Sequence, residues 1–187
     1  DDKRKSVLVV GLGNREVTPD ALGPEVVGNL RITRHMIRVY GRVSAELQQA
    51  AEVSALVPGV MAQTGMETLE IIKGVVDETH PQLVIVIDAL AARSTKRLNR
   101  TIQITDTGIN PGSGVGNHRD AINEETLGVP VIAIGVPTVV DAVTIVNDTM
   151  EALVEELDRS ERLQRLTGAL GTLDHAEKQE LIRELIS

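Results

Sequence analysis

The run LVIVI at residues 83–87, followed directly by Asp88, decides the fold class of this chain. The run is continuously apolar and rich in β-branched residues, which is typical of a strand covered on both faces by other elements. Two further runs have the same character, VLVV at residues 7–10 and VIAI at residues 131–134. The three runs therefore predict a mostly parallel sheet at the centre of an α/β domain.

Helical patterns lie between these strands and after them. Thr64 and Glu67 have the spacing of a capping box, and apolar residues recur at helical intervals from there to Pro81. Another helix is predicted to begin at Asp174. Because strands alternate with helices, we expect a three-layer α/β/α arrangement.

A long apolar stripe follows the last strand. Thr138 with Asp141 predicts a helix start, and apolar residues then step by threes and fours as far as Leu157. The ordinary interpretation of such a stripe is packing against a core. We accordingly predict an α/β domain over residues 1–157 and a C-terminal helical segment over residues 158–187 packed on that domain.

The composition excludes several classes of function. The chain has 187 residues, one Tyr, no Phe, no Trp and no Cys, so its core must be aliphatic, and disulfides and thiolate chemistry are excluded. Its 19 basic and 27 acidic residues give a net charge of −8, which argues against direct nucleic-acid binding. No apolar run has the length of a membrane helix, and the start DDKRK does not resemble a signal peptide. We predict a cytoplasmic protein without a membrane partner.

Two aspartates are the leading catalytic candidates. Asp88 follows a buried strand directly, and Asp20 precedes a predicted helix that begins at Ala21. The structural alternative is that each aspartate caps a turn or a helix. Ligands of parallel sheets bind beyond the carboxyl ends of the strands, so both side chains are expected in one crevice. Two carboxyl groups close together have pKa values that split, so one can act as a base while the other supplies a proton.

A glycine-rich loop is the candidate substrate contact. It covers residues 107–119 with the sequence TGINPGSGVGNHR, and we single out Gly112, Ser113 and Gly114 because backbone amides there can meet a substrate carbonyl. The structural alternative is a flexible connection. Arg93, after the second strand, is a further candidate for substrate contact. His118 is the one histidine considered as a metal ligand or an acid.

These stretches resemble the germination protease family of spore-forming bacteria. The similarity covers residues 6–150 closely, and its motifs are long and in the same order. They are GLGN at 11–14, VTPDALGP at 17–24, TRH at 33–35, VPGVM at 57–61, Thr64-Gly65, IDALAAR at 87–93, TDTGI at 105–109, PGSGVGN at 111–117 and AIGVPTVVDA at 133–142.

The resemblance implies an endopeptidase that degrades small acid-soluble spore proteins when a spore germinates. It also implies a hydrogenase-maturation-peptidase-like fold of the phosphorylase/hydrolase type, a homotetramer, synthesis as a zymogen, and a place in the spore core. An aspartic-type mechanism is implied for the residues matching Asp20 and Asp88, with no cofactor. The chain begins just before the first strand, so we expect the family's propeptide to lie outside it.

Two alternatives stay open at this point. The first is a metal-dependent peptidase of the hydrogenase-maturation type, with Asp20, Asp88 and His118 as ligands. The second is a binding module without enzymatic activity, in which both aspartates serve as caps. Chelator sensitivity distinguishes the first alternative, and the effect of replacing each aspartate with asparagine distinguishes the second.

Overall fold

The computed structural model describes residues 5–41, 47–48, 50–112 and 119–159. The chain divides into two compact units, Asp1–Asp141 and Ala142–Ser187. Both the sheet and the candidate catalytic residues belong to the first unit. None of the described helices is both long and apolar enough to cross a membrane.

Strands and helices alternate through the first unit. In chain order, its described elements are β1 (Ser6–Gly11), a 3₁₀ turn (Thr18–Asp20, called the Asp20 turn below), α1 (Leu22–Gly28), α2 (Arg34–Tyr40), β2 (Glu52–Leu56), α3 (Met61–Thr64), α4 (Thr68–Thr79), β3 (Leu83–Ala92), a second 3₁₀ turn (Thr95–Arg97), β4 (Gln103–Thr105), α5 (Glu124–Leu127) and β5 (Val131–Val140).

The described strands form one sheet in the order β2-β1-β3-β5-β4. The first four run parallel to their neighbours, and β4 pairs with β5 in the antiparallel direction. The predicted α/β class with a mostly parallel sheet is therefore confirmed. The three quoted apolar runs form β1, β3 and β5. Strands β3 and β5 extend beyond the predicted runs, to Ala92 and Val140.

The core is aliphatic, as the composition requires. Side chains from the three inner strands pack with two residues of α4 and with residues around α5, namely Leu8, Val10, Val84, Val86, Val131, Ile72, Val76, Ile122 and Leu127. The single tyrosine, Tyr40, lies outside this cluster and is exposed. Continuous burial on β1 explains why its sequence shows no alternation of polar and apolar residues.

Helix α1 approaches β1 closely because both elements carry glycine at the contact. A Cβ atom on Gly11 would overlap the backbone of Gly23, and one on Gly23 would overlap the backbone of Leu12. This contact places the start of α1, just after the Asp20 turn, against the end of β1. The Asp20 turn is thereby brought to the carboxyl end of the sheet.

Two predicted helix starts are wrong. The capping box of α4 is formed by Glu67 and Glu70, whereas Thr64 ends the preceding short helix α3. Thr138 lies inside β5 and begins no helix. In both places a hydroxyl side chain sits at capping spacing by coincidence, because the backbone there already belongs to another element.

The second unit contains α6 (Ala142–Arg159). Val143, Val146 and Leu153 of its apolar stripe are 69%, 56% and 48% exposed among the described residues, and the packing of this stripe against a core stays a prediction. Periodicity identifies an amphipathic helix but not what covers its apolar face. The helix predicted from Asp174 lies outside the described residues, and the packing of segment 158–187 stays a prediction.

Candidate active site

An open cleft of about 720 Å³ lies at the carboxyl ends of β1, β3 and β5. This is the edge of a parallel sheet at which ligands are expected. The structure brings both candidate acids, Asp20 and Asp88, to this cleft. Three arginines also line it, namely Arg93, Arg97 and Arg119.

Asp88 lies within β3 rather than at its end, because the strand continues to Ala92. The prediction that this aspartate follows the strand is therefore wrong in its local detail, although its place on the cleft wall is as expected. Its side chain is only 7% exposed. One carboxyl oxygen, Oδ1, accepts a hydrogen bond of 2.9 Å from the backbone N–H of Ala89.

The environment of Asp88 favours its neutral form. Burial raises the pKa of Asp88 from 3.8 to about 7, against the opposing effect of the Ala89 N–H. The negative charge of Asp20 also raises this pKa, so the two carboxyl groups are close enough to interact. A carboxyl group that keeps its proton near neutrality can donate a hydrogen bond or a proton, as general acid catalysis requires.

Asp20 ends the Asp20 turn, and its side chain is held by the loop that follows β1. Its Oδ2 accepts a hydrogen bond of 2.7 Å from the backbone N–H of Asn14. A helix-capping role for this residue is wrong, since α1 begins at Leu22 and Ala21 occupies the N-cap position without a side-chain hydrogen bond, whereas the bond from Asn14 is compatible with the turn-capping alternative. The Asp20 carboxyl group is thus free of a helix-capping role and lies on the cleft.

Glycine is required at position 13 for this arrangement. Gly13 has a φ of +110°, a conformation that residues with a side chain rarely adopt. A Cβ atom there would also overlap the backbone oxygen of Asp20 and crowd its carboxyl group. The next residue, Asn14, accepts hydrogen bonds from the Glu16 N–H at 3.0 Å and from Gln63 Nε2 at 3.3 Å.

The remaining predicted site residues are partly accounted for. Arg93 and Gly112 line the cleft as expected. Ser113, Gly114 and His118 lie outside the described residues, so their predicted roles stay predictions.

Four further lining residues had no individual role in the sequence analysis: Gly13, Arg97, Arg119 and Thr138. The Thr138 hydroxyl donates a hydrogen bond of 2.6 Å to the backbone oxygen of Pro19. The sequence could have indicated Thr138, because it follows the apolar run VIAI and so lies at the same edge of the sheet as the residues that follow the other two runs. Arg119 ends the glycine-rich loop 107–119 that was already a candidate, whereas nothing in the sequence marks Arg97 beyond its charge.

Among the described residues, no group of three or more His, Asp or Glu side chains could hold a metal ion. His118, the third ligand of the metal-dependent alternative, lies outside the described residues, so that alternative stays a prediction. The cleft offers two carboxyl groups, and the pKa of Asp88 favours its protonated form near neutrality, in which it is a poor ligand. We therefore derive no step through a metal.

Comparison with known proteins gives one consistent result. A family model described as "Germination protease" matches residues 2–162. The germination protease of Caldanaerobacter subterraneus is 56% identical over 189 residues, covering 99% of this chain and 57% of that protein. The corresponding identities are 50% over 185 residues for Clostridium perfringens and 47% over 216 residues for Bacillus subtilis.

These two relatives are matched over 98% and 99% of this chain and over 56% and 58% of their own lengths. The chain thus spans just over half the length of the curated relatives that it matches. The family match covers most of the chain, including the cleft and both aspartates. This chain therefore belongs to the germination protease family.

Proposed function

We propose that this protein is an endopeptidase in which Asp20 and Asp88 activate water for attack on a peptide bond. The observation that carries the proposal is the pairing of two carboxyl groups on one cleft, where the charge of Asp20 raises the pKa of the buried Asp88. Sharing one proton between two such groups is the established logic of carboxylate-pair hydrolysis.

The unequal surroundings of the two acids suggest their roles. Asp88 carries the shared proton and donates a hydrogen bond to the carbonyl oxygen of the scissile bond. Asp20, as the carboxylate, takes a proton from the attacking water. The C–N bond then breaks as the leaving amine receives a proton from the pair, and both acids return to their starting forms. The pair titrates as a unit, so the assignment describes its dominant protonation state.

Substrate and setting follow the family. We propose that the substrates are small acid-soluble spore proteins, that the enzyme acts in the spore core during germination, and that it works as a homotetramer formed from a zymogen. Arg93 and the loop residues Gly112, Ser113 and Gly114 are proposed to contact the substrate backbone. The sheet and helices are proposed to form the three-layer arrangement of hydrogenase-maturation peptidases.

Replacing each acid by its amide tests the mechanism. Asp20→Asn and Asp88→Asn should each lower the rate of cleavage of a small acid-soluble spore protein by about a hundredfold to ten-thousandfold, with the circular dichroism spectrum unchanged. Asp77→Asn is the matched control, because Asp77 is exposed on α4 and does not line the cleft. Full cleavage by either site variant would remove that residue from the mechanism.

A chelator separates the metal-dependent alternative. The proposed mechanism predicts that cleavage continues after dialysis against EDTA, at the rate of the untreated protein. Loss of activity on chelation, with recovery on adding a divalent cation, would replace the carboxylate pair by a metal-centred mechanism. Complete absence of cleavage in the unmodified protein, under conditions that support a relative's activity, would favour the binding-module alternative.

A further inference from the structure

We propose that Thr138 is a positioning residue, which holds the Asp20 turn against β5 so that the Asp20 carboxyl group faces Asp88. This inference rests on the proposed function, because Thr138 would set the relative position of the same two acids, Asp20 and Asp88. Thr138 itself need not touch the substrate.

A hydrogen bond between two lining residues of the cleft joins β5 to the Asp20 turn. The Thr138 hydroxyl donates to the backbone oxygen of Pro19 at 2.6 Å, although the two residues are 119 positions apart in the chain. Pro19 immediately precedes Asp20, so this bond fixes the backbone next to the catalytic side chain. Thr138, the donor, belongs to β5, and β5 is paired with β3, the strand that carries Asp88. One bond therefore links the supports of both acids.

An irregularity in β5 aims the Thr138 side chain. Leu90 pairs with Pro137 and Ala91 pairs with Val139, so Thr138 is the extra residue between two register partners. Such bulges redirect a side chain and are common beside active sites. Pro137 suits this place because it has no N–H to contribute to the ladder. The sequence Pro137-Thr138 thus produces both the break in pairing and the hydroxyl that uses it.

The other hydrogen bonds of the Asp20 turn among the described residues are local. Asp20 Oδ2 accepts from the Asn14 N–H, and the Asp20 N–H donates to the Val17 oxygen at 2.7 Å. These bonds set the shape of the turn and its loop, whereas the bond from Thr138 sets the position of the turn relative to β5. A loss of the hydroxyl should therefore loosen the separation of the two acids without unfolding the turn.

Three variants test this role in cleavage assays. Thr138→Val keeps the shape of the side chain but removes the donor, and should lower kcat about tenfold while KM stays within about twofold. Thr138→Ser keeps the donor and should restore most of kcat. Thr79→Val is the matched control, because the Thr79 hydroxyl also donates to a backbone oxygen, that of Val75 at 2.7 Å, but does not line the cleft.

A second measurement does not depend on activity. In a ¹³C carboxyl titration, Thr138→Val should lower the pKa of Asp88 toward its ordinary value, because Asp20 is no longer held beside it. Asp20→Asn should lower this pKa as well. Adding Thr138→Val to Asp20→Asn should then produce no further fall. Arg93, Arg97 and Arg119 are the other charged groups on the cleft. Because they are present in the single and the double variants alike, the comparison isolates the effect of Asp20.

The outcomes are distinct. The proposal is overturned if Thr138→Val leaves both kcat and the pKa of Asp88 unchanged, if Thr138→Ser is as impaired as Thr138→Val, or if Thr138→Val lowers the pKa equally in the Asp20→Asn background. If neither aspartate variant affects cleavage, the proposed function fails, while the titration still decides whether Thr138 positions Asp20.

Discussion

Leu90 lies over Gly135, in the space that a Cβ atom at that glycine would need. Gly135 is the register partner of Asp88 in the neighbouring strand, and Leu90 is two residues from Asp88 on the same face of β3. The missing side chain on β5 thus lets the apolar Leu90 side chain of β3 lie beside the Asp88 carboxyl group. We infer that this contact contributes to the burial that keeps Asp88 protonated near neutrality.

Gly135→Ala tests that contact. The added methyl group should displace Leu90 and lower the free energy of unfolding by about 1 to 3 kcal/mol, as overpacking of a filled site does. It should also lower the pKa of Asp88 by admitting water. Urea denaturation and the carboxyl titration measure the two effects. Gly74→Ala is the control, since a Cβ atom there meets nothing within 4 Å and should cost no stability. An unchanged titration of Asp88 would show that Leu90 does not shield it.

The pH dependence of cleavage should report Asp88. Its pKa is raised to about 7, so the protonated form that donates to the substrate carbonyl is lost as the pH rises through that value. We expect kcat/KM to fall about tenfold for each pH unit above 7, since one proton is required. Steady-state cleavage between pH 6 and 9 measures this limb. A rate that stays constant up to pH 9 is incompatible with Asp88 as the acid.

The stability of Asp88→Asn should lack a dependence on pH that the unmodified parent protein shows. In the folded protein the pKa of Asp88 is raised from 3.8 to about 7, so between these values the folded state keeps a proton that the unfolded state has released. The parent's free energy of unfolding therefore falls as the pH rises across this window. Asparagine has no such proton.

Relative to the parent, Asp88→Asn should gain roughly 2 to 4 kcal/mol between pH 4 and pH 8. Denaturation curves at several pH values provide the measurement, with Asp77→Asn as the exposed control that should track the parent. A constant difference between Asp88→Asn and the parent across this range would mean that burial does not raise the pKa of Asp88 in the folded protein.

Gly13→Ala should lower kcat as well as stability, unlike a glycine substitution far from the cleft. The substitution strains a φ of +110° and overlaps the backbone oxygen of Asp20, so we expect a loss of about 2 kcal/mol or more together with a large fall in kcat. Gly65→Ala also strains a positive φ, of +71°, but meets nothing within 4 Å, and should cost about 1 kcal/mol without changing kcat. Equal losses of kcat in both variants would argue against a special role for Gly13.

Much of the sheet could be predicted from the sequence, because burial on both faces leaves an uninterrupted apolar run in β1, β3 and β5. Strand β2 escaped prediction because its sequence EVSAL includes a glutamate that is nevertheless buried. The Glu52 carboxylate is accommodated through Arg38, whose Nε lies 3.4 Å from its Oε2. Such a tertiary pairing has no signature in a short segment.

The candidate site was predictable in position and less so in detail. Asp20 and Asp88 could be placed on one cleft because strand ends in a parallel sheet converge. That β3 runs on to Ala92 could not be foreseen, since the LVIVI run ends at a polar residue that normally marks a strand end. The role of Thr138 depends on a register break between two strands, which only their pairing reveals.

The two acids stand on very different supports. Asp88 belongs to a ten-residue strand in the middle of the sheet, whereas Asp20 ends a turn of three residues. The proposed pair therefore joins one acid on a long sheet strand to one acid on a short turn. Under the proposed mechanism, a substitution or bound ligand that displaces this turn should lower the rate of cleavage while the sheet, and with it most of the stability, stays intact.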